Sequence, residues 1–184
     1  AALSSETISL RDASWIWHPA SRSDNAKVVV KTRFSLKAKP EKACIAFSCD
    51  NFARVKINGV EIAKQSNGRD DWRVPTTVWN IAKVLRKGTN TVEAECGNNS
   101  DGYAGFIAAI QYEVNGVQKT IFTNGDDWTA SKDSGAFAKP SVLGKYGASP
   151  WGRFADDIRR PIVRMRESPS VPAYESVWIS AQEA

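Results

Sequence analysis

An all-β, jelly-roll β-sandwich is the fold class this sequence predicts, and three observations predict it. Apolar residues recur with a period of two along most of the chain, Asn-Gly pairs separate such runs, and turn residues interrupt them at short, regular intervals. Alternation of this kind puts successive side chains on opposite faces of a strand, so that one face meets a core and the other meets water.

The elements follow in chain order. Val28, Val30, Thr32, Phe34 and Leu36 alternate with Lys31, Arg33, Ser35 and Lys37, as a half-buried strand should. Ile45, Phe47 and Cys49 line one face of the next run. Ala53, Val55 and Ile57 alternate with Arg54 and Lys56, and Asn58-Gly59 supplies a type I′ hairpin turn into Val60 and Ile62. Residues 78–86 read either as a helical turn or as a loop entering the strand that carries Val92, Ala94 and Cys96. Residues 106–114 are apolar on both faces at their start, which suggests a central strand. Asn115-Gly116 turns it back into residues 117–122, and Asn124-Gly125 turns the chain again towards Trp128. Less than about a tenth of the chain is expected in helix. After Pro140 the alternation dissolves into Gly, Pro and Ser. Residues 1–152 are expected to form the sandwich, and residues 153–184 an extension that hugs it or a linker that leads away.

The chain has 184 residues, enough for one domain with a self-sufficient core. Its 25 Lys and Arg stand against 20 Asp and Glu, for a net charge of +5. The two signs are interleaved, which argues against nucleic-acid binding. Even the densest basic stretch, Arg153, Arg159, Arg160, Arg164 and Arg166, is broken by Asp156 and Asp157. No run approaches the roughly 20 apolar residues that a membrane-spanning helix needs. His18 is the only histidine, which removes HExxH zinc chemistry, and no GxSxG, GxxxxGK[ST] or GxGxxG motif occurs. Cys44, Cys49 and Cys96 form no CxxC pair; Cys44 and Cys49 fall on opposite faces of one strand, so all three are expected as free thiols, with Cys49 and Cys96 buried.

Seven tryptophans are more than a sandwich core of this size usually needs, so some are expected at the surface. Trp15 and Trp17 are two apart and, in a strand, face the same side, as a core plug or as a stacking platform. Trp72 stands in the polar segment 67–73, where it is expected to be exposed and to offer a flat face to a sugar ring, or else to fold back over a sheet edge. Asn and Asp cluster at Asp50-Asn51, Asp70-Asp71, Asn98-Asn99-Ser100-Asp101 and Asp126-Asp127. Turn formation explains each alone. A shared location at one end of the sandwich would supply the oxygen ligands that a hard cation such as calcium takes. Asn98-Asn99-Ser100 also matches a glycosylation sequon.

Taken in order, Ala13-Ser14-Trp15-Ile16-Trp17, the stretch from Ser48-Cys49-Asp50-Asn51 to Asn58-Gly59, Leu85-Arg86-Lys87-Gly88-Thr89-Asn90, Gly105-Phe106-Ile107-Ala108, Thr123-Asn124-Gly125-Asp126-Asp127-Trp128 and Pro150-Trp151-Gly152 resemble the galactose-binding-like β-sandwich domains. More narrowly, the set resembles the non-catalytic, rhamnose-binding modules attached to bacterial α-L-rhamnosidases. The resemblance covers roughly residues 13–152. It implies a secreted or periplasmic bacterial carbohydrate-binding module, dependent on calcium, that works beside a glycoside hydrolase domain and has no catalytic residues of its own. It implies that Asp50 and Asn51 grip sugar hydroxyls, that Trp72 contacts the sugar, and that Asn98 or Asn99 helps hold sugar or metal. The implied calcium ligands are Asp50, Asn51, Asn99 and Asp101. The sequence departs from the family in its charged 69–73 segment and its Arg-containing C-terminal stretch. A structural accessory domain and a small carbohydrate-active enzyme are the competing expectations, and fold alone does not separate them.

Overall fold

The computed structural model describes residues 6–21, 26–65, 71–98 and 102–161. Thirteen strands are present among the described residues: β1 Thr7–Ile8, β2 Ser14–Trp17, β3 Lys27–Leu36, β4 Lys42–Asp50, β5 Phe52–Ile57, β6 Val60–Lys64, β7 Thr76–Val78, β8 Gly88–Gly97, β9 Gly105–Val114, β10 Val117–Phe122, β11 Trp128–Lys132, β12 Ser141–Lys145 and β13 Ile158–Arg159. A six-stranded sheet runs β12-β2-β9-β4-β7, with β10 also on β9, and a five-stranded sheet runs β11-β3-β8-β5-β6. Every pairing is antiparallel, so the fold is the predicted jelly-roll β-sandwich. Among the described residues, helix is limited to a 3-10 turn at Ala82–Val84, and none is long and apolar enough to cross a membrane.

Asn58-Gly59 and Asn115-Gly116 form hairpin turns with left-handed backbone at both residues: φ is 50° and 82° at Asn58 and Gly59, and 53° and 75° at Asn115 and Gly116. That is the geometry a type I′ turn requires. Asn58 does more than turn the chain. Its Nδ2 donates to Val84 O and to Asn90 Oδ1, and its Oδ1 accepts from Thr91 N–H, bolting the β5–β6 hairpin to the loop that enters β8.

β4 and β9 are covered on both faces. Ile45, Phe47 and Cys49 point between the sheets with Phe106, Ala108 and Ile110, while Cys44, Ala46, Ile107 and Ala109 point outward into a second core. That outer core is closed by Ile8, Leu10, Ala13 and Trp15 from the N-terminal side and by Tyr146, Trp151 and Ala155 from the C-terminal side. Residues 141–161 therefore stay part of the fold: β12 pairs with β2, β13 pairs with β1, and residues 153–161 lie against the sandwich. β12 and β13 are too short, and too rich in small residues nearby, to display a period.

Two expectations about tryptophan need correction. Trp15 and Trp17 are both buried but do not share a face: Trp15 lies in the outer core and Trp17 in the inner one. β2 meets β9 at a single residue pair, Ile16 with Phe106, and its ladder with β12 shifts register between Val142 and Gly144, so the alternation is broken along this short strand. Nor is any of the six described tryptophans exposed: four are buried, and Trp72 and Trp79 are half-buried. A second core, invisible to a strand-by-strand reading, absorbs the excess. A buried aromatic removes roughly 150–250 Å² from water, on the order of 4–6 kcal/mol of transfer free energy before entropy is charged against it.

Candidate functional site

The ends of β4 and β8 and the starts of β5 and β9 meet at one end of the sandwich, and the acidic and amide residues of interest sit there. Asp50 closes β4, opposite Gly105 of β9, and Asn51 follows through a cis peptide bond. Asn51 N–H donates to Gly97 O at 3.1 Å, which brings Asn51 beside the last residues of β8 and the buried Asn98. The corner is clamped by Gln65, itself buried. Its Oε1 accepts from Cys49 N–H at 2.9 Å, and its Nε2 donates to Cys49 O and Asn51 O at 2.8 and 2.7 Å. One side chain thus fixes the backbone on both sides of Asp50.

The Asp50 carboxylate points to the outer face of β4, where its Oδ2 accepts a hydrogen bond from Trp151 Nε1 at 3.0 Å. Asp50 is only 8% exposed. Trp151 in turn stacks on Trp15, with ring centroids 4.4 Å apart and planes 18° from parallel. Gly105 makes room for this stack: a Cβ there would lie 2.9 Å from Trp15 and 3.2 Å from Trp151. Burial, then neighbouring Cys96 and last the negative charge of Asp50 push the Cys49 thiol well above its ordinary pKa. Cys44, on the outer face, is pushed up to about 12, chiefly by burial and then by the charge of Glu6. All three cysteines are free, as expected, and Cys44 is buried as well as Cys49 and Cys96.

Trp72 reaches the same neighbourhood through its backbone. Ser48, two residues before Asp50 on the same face of β4, donates its hydroxyl to Trp72 O. The indole is less open than expected. Its edge meets Phe154 at 5.6 Å and 73°, and the Arg73 guanidinium lies over the ring at 5.0 Å. The C-terminal cover supplies Phe154, a partner that the polar context of Trp72 does not announce.

Asp50, Asn51, Asn98 and the backbone of Trp72 are therefore brought to one end of the fold. Asn99 and Asp101, and the 67–70 part of the Trp72 segment, lie outside the described residues. Asp126 and Asp127 belong elsewhere, since β11 begins opposite Thr32, half-way along β3. Asn124 Oδ1 accepts from both of their backbone N–H groups, so that cluster is a turn. Among the described residues no group of three or more His, Cys, Asp or Glu gathers as a metal site would. The donors at the Asp50 end are oxygens, the chemistry that suits calcium and not zinc. Sequence reasoning missed Gln65 and Trp151. A buried indole N–H requires an acceptor, but nothing local identifies one 101 residues away.

No family model matches the chain. It is 28% identical over 167 residues to an α-L-rhamnosidase of Streptomyces avermitilis, a match that covers 82% of this chain and 16% of that protein. The crystal structure of the S. avermitilis α-L-rhamnosidase complexed with L-rhamnose superimposes with a TM-score of 0.74 at 26% identity, covering 83% of this chain and 16% of that one. A lectin from Pleurotus ostreatus, solved in complex with GalNAc, shares the fold at a TM-score of 0.69 and 19% identity, covering 83% of this chain and 48% of the lectin. The chain spans about a sixth of the length of the rhamnosidase it matches. Over some four fifths of its length it is similar to a β-sandwich segment of the α-L-rhamnosidases.

Proposed function

We propose that this chain is a non-catalytic carbohydrate-binding module that recognises a deoxy sugar of the rhamnose kind and works beside a glycoside hydrolase domain in a secreted or periplasmic bacterial enzyme. The observation that carries the reading is the convergence of Asp50, Asn51 and Asn98 at one end of the sandwich. Support comes from the relative's own ligand, since the similar S. avermitilis chain was crystallised with L-rhamnose. A carboxylate accepts charge-assisted hydrogen bonds from adjacent hydroxyls, and an amide both donates and accepts, as a hydroxyl does. The bond from Trp151 orients the carboxylate, and Gln65 holds the backbone that carries it. Trp72 contributes the apolar part of its ring to the sugar's C–H face. In this reading Asp50 and Asn51, together with Asn99 and Asp101, would hold calcium, which would supply a positive charge for sugar hydroxyls to coordinate.

Calorimetry and a glycan array, each with calcium and with EDTA, test the proposal. An affinity of roughly 10 μM to 1 mM is expected, in keeping with a single shallow platform. Binding that survives in an Asn51→Ala variant would overturn the assignment of residues. A second reading, an accessory domain that only supports its neighbour, is favoured by the low exposure of Asp50 and by the cover over Trp72. That reading expects no sugar on the array to bind.

A further inference from the structure

A cavity opens at the same end of the sandwich, and none of Asp50, Asn51, Asn98 or Trp72 lies in its wall. Its volume is about 490 Å³, within the range of pockets that hold small molecules. Trp151 stands between the two places, with its Nε1 committed to Asp50 and its ring contributing to the cavity wall. Tyr103 meets Trp151 edge to face at 6.1 Å and is 66% exposed, the most solvent-facing aromatic at the mouth.

The polar groups of this wall are short of partners. Trp17 and Ser21 are 2% and 0% exposed, yet Trp17 Nε1 and Ser21 Oγ have no hydrogen-bond partner among the described residues. Buried polar groups are rarely left so, and each such exception calls for an explanation. His18 Nδ1 accepts from Ala20 N–H, so in the neutral ring the proton sits on Nε2, as a donor. Ser149 adds a hydroxyl. None of the described lining residues is Asp, Glu, Lys or Arg, which disfavours a charged ligand.

We propose that this cavity is a second sugar subsite, taking one neutral pyranose against Tyr103 and Trp151, with its hydroxyls on Trp17 Nε1 and Ser21 Oγ. The inference rests on the carbohydrate reading above and adds a separate position to it. Aromatic walls suit the C–H faces of the ring. A sugar hydroxyl that reaches Trp17 Nε1 or Ser21 Oγ supplies the partner that each lacks among the described residues.

Titration of the ¹⁵N-labelled full chain with L-rhamnose, D-galactose and phenol, followed by two-dimensional NMR, tests it. A sugar should shift the Trp17 indole N–H and the Ser21 amide saturably. Tyr103→Ala, a change at an exposed position, should weaken that curve about tenfold, while Asn51→Ala should leave it unchanged. Shifts of the Asn51 and Asn98 amides without Trp17 or Ser21 would overturn the subsite and leave the carbohydrate reading standing. Shifts of Trp17 by phenol alone would overturn the sugar class, and a spectrum that no sugar perturbs would overturn both proposals.

Discussion

Asp50 shows how one residue carries two demands. In the proposed function its carboxylate meets a sugar, and in the structure it satisfies the buried Trp151 indole. Asp50→Ala should therefore cost about 1–3 kcal/mol of stability, because it strands a buried donor. Asp50→Asn retains an oxygen acceptor and should cost clearly less, so urea denaturation of the pair separates the hydrogen bond from the charge. The adjacency of Asp50 and Asn51 is legible in the sequence. The burial of Asp50 is not, because its partner arrives from a loop after β12 that has no periodic signature. The thiols give a second test at this scale. With its pKa near 12, Cys44 has on the order of one part in ten thousand as thiolate at pH 8, and Cys49 is raised as well. The native protein should react with a thiol reagent far more slowly than the denatured chain, in which three thiols should be counted. Fewer than three would mean a disulfide.

Elements were legible where local chemistry decides them. The two type I′ turns need left-handed backbone at both residues, and Asn-Gly announces it. The long strands β3, β5 and β8 show a clear two-residue period because one face of each meets solvent. β4 and β9 blur that period because both of their faces are covered, and β1, β12 and β13 are too short to show one. The role of Asn58 beyond its turn was equally hidden, since Val84, Asn90 and Thr91 are distant in sequence. Asn58→Ala should destabilise by about 2–4 kcal/mol, the cost of several partners left unpaired. Asn115→Ala lacks those partners and should cost less than half as much. Equal losses in thermal denaturation would show that the turn alone matters.

At the scale of the whole molecule, the outer core ties residues 8–15 to residues 146–158. Tyr146 is its hub: the hydroxyl accepts from the backbone N–H groups of Phe154 and Ala155, and the ring packs against Phe154. Burial, the leading cause, raises the Tyr146 pKa above that of free tyrosine. A group raised on folding contributes stability that is complete below its unfolded pKa, about 10 for tyrosine, and lost as pH rises through the folded value. The protein should therefore lose stability above about pH 10, and Tyr146→Phe should flatten that loss while lowering stability at neutral pH. A pH dependence identical in the variant would place the alkaline transition elsewhere.

The proposed function requires that the Asp50–Asn51 end bind sugar without transforming it. Calorimetric titration of the folded protein with L-rhamnose in calcium is the decisive measurement. A saturable isotherm, lost in Asn51→Ala and in EDTA, with no released product, is expected. A flat isotherm for L-rhamnose and for every other sugar tried, from protein whose fold is intact, would contradict it.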